Sequence, residues 1–228
     1  TKTFGGTTFL VHAPVGGTMI PAEFGIGGGW SGLRTTKNIV QLFPDPNGDL
    51  DKRGIFWTDG QNLEIEDISA FTDGYPIVKW KNLTADGEPG SDPGKEFPDT
   101  DYPLFRLADV YLMYAEAVLR GGSGGNTATA LQYINELRTR AYGNASGNIT
   151  AAGLTLDFIL DERARELNWE ACRRTDLIRF GKFTGSNYLW PWKGGVKDGR
   201  GVEDWRILYP LPASDVTANP NLVQNNSY

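Results

Sequence analysis

Several tryptophans of this chain lie in glycine-rich segments, where a ring can stand out from the backbone. Trp30 lies in GIGGGWSG, and Trp190 and Trp192 lie in YLWPWKGG. A pyranose ring presents a flat face of C–H groups that can stack on an indole or phenol ring, and glycine beside the ring lets a ligand approach the backbone closely. The pattern predicts an aromatic platform for sugar rings, with these candidates: Trp30, Trp57, Tyr188, Trp190 and Trp192. The alternative is that the rings pack the loops onto the rest of the protein, since large aromatic side chains are usually mostly buried.

A second candidate site is the acidic segment DPNGDLD at residues 45–51. Oxygen-bearing side chains occur there at alternate positions, as in a calcium-binding loop: Asp45, Asn47, Asp49 and Asp51. The segment departs from the EF-hand pattern at Leu50, where the sharp turn needs glycine, and at Phe56, where a bidentate glutamate belongs. It therefore favours an Asx-type surface turn over a calcium site.

Catalytic chemistry has little support in the sequence. The densest carboxylates lie beside arginines at helical spacing, and pairing with arginine lowers a carboxylate pKa whereas the general acid of a glycoside hydrolase needs it raised: Asp161, Glu162, Glu166 and Glu170. His12 is the only histidine, so Ser-His-Asp chemistry and multi-histidine metal sites are not favoured. The chain has no Walker A loop, and its GIGGG run is a loop signal only, so no cofactor is predicted.

Composition excludes further classes of function. Lys and Arg number 22 against 28 Asp and Glu, a net charge of -6, and no basic run exceeds two residues. A protein that tracks nucleic-acid phosphates needs clustered cations, so nucleic-acid binding is not expected. No segment approaches the ~18 consecutive apolar residues of a membrane span. Cys172 is the only cysteine, which excludes an internal disulfide and a multi-cysteine metal site.

The elements that must position these residues are mainly helices after residue 103. An apolar stripe from Leu104 to Val118 and another from Ala130 to Ala141, joined by the GGSGGN loop, predict an antiparallel αα-hairpin. Thr155–Lys182 is the longest uninterrupted helical pattern, with Thr155 as its N-cap and Gly181 as its stop. Acids and bases recur on this predicted helix at spacings of three or four residues, which indicates a solvated face that pairs with itself.

The first hundred residues carry 16 of the 29 glycines and 8 of the 13 prolines, which leaves little room for long helices. We expect a loop-rich region with a strand at Thr7–Ala13 and a short helix at Thr35–Phe43. Two β-favouring runs between Ile65 and Trp80, around Asp73-Gly74, predict a β-hairpin.

Three segments in order resemble the C-terminal half of the SusD/RagB family: LFRLADVYLMYAEAVLR, DERARELNWEACRRTDLIRFGK and LYPLPASDVTANPNLVQNNSY. The resemblance implies a mainly α fold, a tetratricopeptide-type helical scaffold with long loops, to which the residues add the small β-hairpin. We expect a loop-rich part at 1–103, a helical scaffold at 104–183, and an aromatic-rich loop with the C-terminal tail at 184–228. All three would belong to one domain, the C-terminal half of a longer SusD-like protein.

The resemblance also implies a function. Family members are surface-exposed outer-membrane lipoproteins of Bacteroidota that capture nutrients, here an oligo- or polysaccharide, and deliver them to a TonB-dependent SusC-like transporter without catalysis. They are anchored through a lipidated N-terminus, which this chain does not contain. Two alternatives remain open at this stage: a peptide-binding RagB-like member of the same family, and an α-helical polysaccharide-degrading enzyme.

Overall fold

The computed structural model describes residues 7–92 and 94–228. The chain divides into two compact units, Thr1–Arg173 and Arg174–Tyr228. Its α-helices are α1 (Thr8–His12), α2 (Lys37–Val40), α3 (Leu107–Leu119), α4 (Thr127–Tyr142), α5 (Leu156–Glu166), α6 (Arg173–Arg179) and α7 (Ala213–Ala218). Within the described residues, no helix is both long and apolar enough to cross a bilayer.

Helices α3 and α4 form the predicted αα-hairpin. Asn126 caps α4 by accepting a hydrogen bond from the backbone N–H of Thr129 (2.8 Å), and Gly143 ends it in the left-handed region (φ +73°). The rings of Tyr111 and Tyr133 stack between the two helices with centroids 4.1 Å apart. The predicted stripe of α4 is buried, and α5 packs against α3.

The buried face of α3 differs from the predicted stripe. Leu104 and Leu107, which belong to the predicted stripe, are 79% and 64% exposed, whereas Ala108, Leu112 and Ala115 are buried. Leu104 precedes the first helical residue and so does not share the phase of the helix. Leu107 lies about 100° around the helix from Ala108, on the side turned away from the buried face.

The prediction of one continuous helix from Thr155 to Lys182 is wrong. Thr155 is the N-cap of α5, accepting from the N–H of Phe158 at 3.1 Å, but α5 ends at Glu166 and α6 begins at Arg173. Between them Trp169 (φ +64°) and Ala171 (φ +58°) take left-handed backbone conformations that no continuous α-helix contains.

Cations from distant parts of the chain satisfy the carbonyl groups that this break leaves free. Lys79 Nζ donates to the carbonyls of Glu166 (3.3 Å) and Asn168 (2.9 Å), and Arg106 Nη2 also donates to the Glu166 carbonyl at 2.9 Å. Helix ends need such partners because their last carbonyls have none within the helix. The position of the break is therefore supported by tertiary contacts that the local sequence pattern does not contain.

The charged face of α5 is buried, not solvated as predicted. Glu162 is 0% exposed, and of the expected pairs at helical spacing it makes one, with Arg165 at 2.7 Å. Its other partners are Arg53 (2.8 Å), from the loop-rich region, and Arg138 (2.7 Å), on α4. Burial raises the pKa of Glu162, but the nearby guanidinium groups outweigh it and hold that pKa below its ordinary value.

Glu166, one turn after Glu162 on α5, is surrounded by arginines in the same way. It is 3% exposed and accepts from Arg53 (3.0 Å), Arg106 (2.9 Å) and Arg140 (2.6 Å). Burial raises the pKa of Glu166. The hydrogen bond and charge of Arg140 and the charge of Arg53 outweigh burial and lower this pKa to about 2. Arg106 also pairs with Glu170 (2.8 Å), and Arg53 also pairs with Asp51 (2.7 Å). Four carboxylates and six cations thus form one network, which we call the buried ion network: Asp51, Arg53, Lys79, Arg106, Arg138, Arg140, Glu162, Arg165, Glu166 and Glu170.

The loop-rich region is built from turns packed around two small apolar clusters. The predicted short helix is confirmed as α2. The strand prediction for Thr7–Ala13 is wrong, because Thr8–His12 form the helix α1. The β-hairpin prediction is wrong: in the described residues, backbone pairing between extended segments is limited to isolated bridges. Asp73 accepts from the N–H groups of Glu66 (2.8 Å) and Asp67 (2.9 Å), and Gly74 N–H donates to Asn62 O (2.8 Å), so the expected turn is tied to residue 62 and does not connect two strands.

Neutralising the central carboxylate of the network should strongly destabilise the fold. We expect Glu166→Gln to lower the free energy of unfolding by about 3–5 kcal/mol, because it removes the buried carboxylate that Arg53, Arg106 and Arg140 share and leaves the network with an uncompensated positive charge. Asp161→Asn is the matched control on the same helix, since in the described structure the Asp161 side chain has no ion pair or hydrogen bond, and it should change stability by less than about 0.5 kcal/mol. Urea unfolding measures both, and equal effects would contradict a buried network.

Stability should also fall in acid as Glu166 titrates. Its folded-state pKa of about 2 lies below the ordinary 4.5, so its contribution is fully present above about pH 4.5 and is lost as pH falls from there toward 2. The shift corresponds to a loss on the order of 3 kcal/mol. Unfolding midpoints at pH 7, 4.5, 3.5 and 2.5 measure the slope, and a Glu166→Gln variant with an unchanged slope would refute the assignment.

Candidate functional site

Trp30 is the sequence candidate with the most accessible ring in the first unit. It is 53% exposed, and it lies beside Phe9, also 53% exposed, with ring centroids 6.3 Å apart. The His12 ring lies 5.7 Å from the Trp30 ring at 34°, and Trp169 lies 6.0 Å from Phe9. We call these four residues the Trp30 surface. It is an aromatic surface of which two rings are open to solvent.

Backbone contacts to α1 hold Trp30 in place. Its N–H donates to the carbonyl of His12 at 2.9 Å, and the N–H of the next residue, Ser31, donates to Val15 O at 3.0 Å. Gly29 packs so closely that a Cβ there would lie 2.1 Å from Val15 O. The glycine next to Trp30 thus permits close contact between two backbone segments, and Trp30 is presented from a braced loop.

His12 supports the same loop from beneath. It is 5% exposed, and its Nδ1 lies 2.7 Å from the carbonyl of Gly28. Because a carbonyl only accepts, Nδ1 carries the proton in this hydrogen bond. The sole histidine is therefore a buried partner of the glycine-rich loop.

Phe9 is the solvent-exposed member of this surface that the sequence pattern did not predict. In the strand predicted for TTFLVHA, Phe9 and His12 would point to opposite faces. In α1 they are three residues apart and lie on one side of the helix, the side that meets Trp30. A helical reading of this segment would have placed Phe9 beside His12.

Trp57 has different surroundings from Trp30. It is half-buried, its Nε1–H donates to Thr18 Oγ1 (2.9 Å) and to Asp59 O (3.1 Å), and its ring meets Phe24 edge-on at 6.2 Å. It also packs against an apolar cluster of the loop-rich region. These contacts indicate that Trp57 packs the loop-rich region together and does not present an open ring.

The other three candidates lie in the second unit. Trp190 is half-buried, with the rings of Phe183 and Tyr188 each 6.2 Å away. Lys193 lies over the Trp190 ring at 4.5 Å, is 2% exposed, and donates from Nζ to the carbonyl of Tyr188 at 2.7 Å. Trp192 takes a left-handed conformation (φ +68°), and its buried Nε1 has no partner among the described residues. The structure thus brings Tyr188 and Trp190 together around a buried lysine.

The acidic segment at 45–51 forms an Asx-type turn. Asp45 Oδ1 accepts from the N–H groups of Asn47 (3.0 Å) and Asp49 (2.9 Å), and its Oδ2 accepts from Leu50 N–H at 3.0 Å. Asp51 is 0% exposed and pairs with Arg53 at 2.7 Å. Asn47 Oδ1 also accepts from Thr58 Oγ1 at 3.5 Å, so three of the four candidate calcium ligands face protein donors. Across the described parts of the chain, no group of three or more His, Cys, Asp or Glu is placed to hold a metal ion.

Comparison with known proteins identifies the family. The model of the SusD family matches residues 46–228. The chain belongs to the SusD family. The starch-binding protein SusD of Bacteroides thetaiotaomicron is 45% identical over 168 residues, which is 74% of this chain and 28% of that protein. The chain thus spans less than a third of the length of this curated relative.

Solved structures show the SusD-like fold. Surface glycan-binding protein A from Bacteroides thetaiotaomicron, in complex with laminarihexaose, has a TM-score of 0.65 at 24% identity and covers 90% of this chain and 43% of that one. Surface glycan-binding protein A from Bacteroides uniformis has a TM-score of 0.54 at 25% identity, covering 87% and 42%. The mainly α, tetratricopeptide-type SusD-like fold implied by the resemblance is confirmed.

Two neighbouring glycines test how the Trp30 loop is held. Gly29→Ala should lower the free energy of unfolding by about 1–3 kcal/mol, because the new methyl group overlaps the Val15 carbonyl. Gly28→Ala is the control, since a Cβ there meets nothing within 4 Å, and it should be neutral or slightly stabilising. Thermal and urea unfolding compare the two, and equal stabilities would contradict the close packing of this loop on α1.

Proposed function

We propose that this SusD-family protein is a cell-surface glycan-binding protein that captures an oligo- or polysaccharide at the Trp30 surface. Membership of the family and 45% identity to a protein named for starch binding support this class of ligand. The observation that carries the proposal is the half-exposed Trp30 ring beside the half-exposed ring of Phe9.

The physical basis is stacking on a rigid surface. A sugar ring offers C–H groups to an aromatic face, and burial of an aromatic ring gives a large apolar contribution to binding. Because Trp30 is held to α1 through backbone hydrogen bonds and close packing at Gly29, little conformational freedom is lost when a ligand arrives. A preformed aromatic surface of this kind can bind a sugar without a change in protein conformation.

The proposed mechanism involves no bond cleavage. A glycoside hydrolase needs a carboxylic acid with a raised pKa, whereas surrounding arginines outweigh burial and hold the pKa values of Glu162 and Glu166 below their ordinary values. These carboxylates act as structural counter-ions in the buried ion network. The densest acidic cluster predicted from the sequence is thus unsuited to general-acid catalysis.

The cellular setting is part of the same proposal. Family membership supports an outer-membrane lipoprotein, anchored through a lipidated N-terminus, that passes its glycan to a SusC-like TonB-dependent transporter. Co-purification of a SusC-like β-barrel with the tagged native protein from detergent-solubilised outer membranes tests the partner. Recovery of the protein without a barrel would count against transfer, independently of glycan binding.

Removing the Trp30 ring should weaken glycan binding. We expect Trp30→Ala to reduce affinity for amylopectin at least about tenfold, equivalent to about 1.4 kcal/mol, because the stacking face is lost. Affinity gel electrophoresis with amylopectin in the gel measures the retardation. Phe105→Ala is the matched control, since Phe105 is an aromatic residue that is 87% exposed outside the Trp30 surface, and its retardation should equal that of the unaltered protein.

Equal retardation of the Trp30→Ala variant and the unaltered protein would place the site elsewhere. Incubation of the protein with amylopectin and assay of new reducing ends tests the absence of cleavage. Reducing ends that appear and are then abolished by one carboxylate substitution would overturn the binding-only mechanism.

A further inference from the structure

The second unit contains a cavity of about 250 Å³ whose wall combines aromatic rings with cations, including Phe183, Trp190, Lys193, Arg200, Glu203 and Arg206. We propose that this cavity binds an acidic saccharide through a carboxylate or sulfate group. The proposal rests on glycan binding as the function of the protein, and it adds a second site with a different ligand chemistry.

The charge of the wall is opposite to that of the whole protein. Three cations and one carboxylate line the cavity, whereas the chain carries a net charge of -6. A concave site lined by an excess of one sign concentrates its field and attracts a ligand of the opposite sign. An anionic group is therefore favoured in this cavity despite the acidic character of the chain.

Arg200 is held in an orientation that leaves the N–H groups of its two terminal nitrogens available to a ligand. Its Nε donates to the carbonyl of Gly194 at 2.9 Å, and its backbone N–H donates to Lys193 O at 3.0 Å. Among the described residues its two terminal nitrogens have no hydrogen-bond or ion-pair partner. A guanidinium held in this way presents parallel donors that match a carboxylate or a sulfate.

Arg206 is the second cation that a ligand can engage. Its Nε pairs with Glu203 Oε2 at 2.7 Å, and its guanidinium lies 4.3 Å from the ring centroid of Trp205. The side chains of the Arg206–Glu203 pair are 45% and 61% exposed, so the pair is a solvated one that contributes little and can rearrange around an incoming anion. Glu203 opposes an anionic ligand by charge, and its removal should strengthen binding.

Lys193 supports the cavity from inside the unit. Its ammonium donates to the carbonyls of Gly185 (2.9 Å) and Tyr188 (2.7 Å), and Gly185 in turn pairs with Val202 through its N–H at 2.8 Å. These bonds hold the loop that carries Trp190 against the loop that carries Arg200. We therefore assign Lys193 a positioning role and the two arginines the ligand contacts.

The aromatic rings beside the arginines favour an acidic sugar over an inorganic anion as the ligand. Trp190 and Phe183 line the same cavity as the guanidinium groups, so apolar ring faces and charged donors meet one ligand. A uronic acid or sulfated sugar has both parts, a C–H face and an anionic group, whereas an inorganic anion uses only the second and a neutral sugar only the first.

The test uses three soluble polymers and the unaltered chain: polygalacturonate carries carboxylates, dextran sulfate carries sulfates, and dextran is neutral. Calorimetry at about 0.15 M salt limits non-specific attraction between surface charges. We expect one or both acidic polymers to bind at least tenfold more tightly than dextran, and the acidic polymer that binds more tightly identifies the anionic group. Equal binding of all three polymers would overturn the proposal.

Three variants locate the site. Arg200→Gln and Arg206→Gln should each weaken binding of the acidic polymer at least fivefold, whereas Glu203→Gln should strengthen it severalfold. Lys81→Gln is the control for net charge, because it removes one exposed cation from the first unit. Because Glu203→Gln is expected to gain affinity, a loss of folding cannot imitate the predicted result. Unchanged binding in both arginine variants, or an equal loss in Lys81→Gln, would refute the site.

Failure of this proposal can be told apart from failure of glycan capture at the Trp30 surface. Trp30→Ala should weaken retardation by amylopectin and leave binding of the acidic polymer unchanged. Loss of the acidic polymer in Trp30→Ala would contradict a separate site in the second unit. If Arg200→Gln still binds amylopectin but no longer binds the acidic polymer, the result supports two separate sites.

Discussion

The structure depends on keeping several glutamates ionised in a buried position. An isolated carboxylate costs several kcal/mol to bury, and this cost is offset only when cations and hydrogen bonds surround it with good geometry. Glu162 and Glu166 meet this condition with arginines from the loop-rich region and from α4. Any arrangement that separates these regions would leave charge buried without a partner, so the network specifies one way of packing the loops on the helices.

The same constraint explains the shape of the backbone after α5. Lys79 and Arg106 bind the last carbonyls of that helix, and Arg106 also binds the carboxylates of Glu166 and Glu170. Continuing the helix past Glu166 would return those carbonyls to internal hydrogen bonds and remove these contacts. The break and the network therefore stabilise each other, and the residues between α5 and α6 bring Trp169 to the Phe9 ring.

The two aromatic regions show how loops acquire fixed geometry without regular strands. In the first unit, backbone hydrogen bonds to the carbonyls of His12 and Val15 hold the glycine-rich loop that presents Trp30. In the second unit, the buried ammonium of Lys193 holds the loop around Trp190. Both arrangements satisfy the polar groups of irregular backbone, which a loop must do before it can present rings in one orientation.

The sequence by itself determined the features that depend on neighbours along the chain. Helical spacing predicted the αα-hairpin, Thr155 marked the start of α5, the ordered motifs indicated the family, and the glycines around Trp30 indicated a presented ring. Tertiary structure alone decided the break after Glu166, the burial of the acidic face and the meeting of Phe9 with Trp30. The physical reason is the separation of the partners along the sequence. Arg53 and Glu162 are 109 positions apart, so no local sequence pattern indicates which cation neutralises a buried carboxylate.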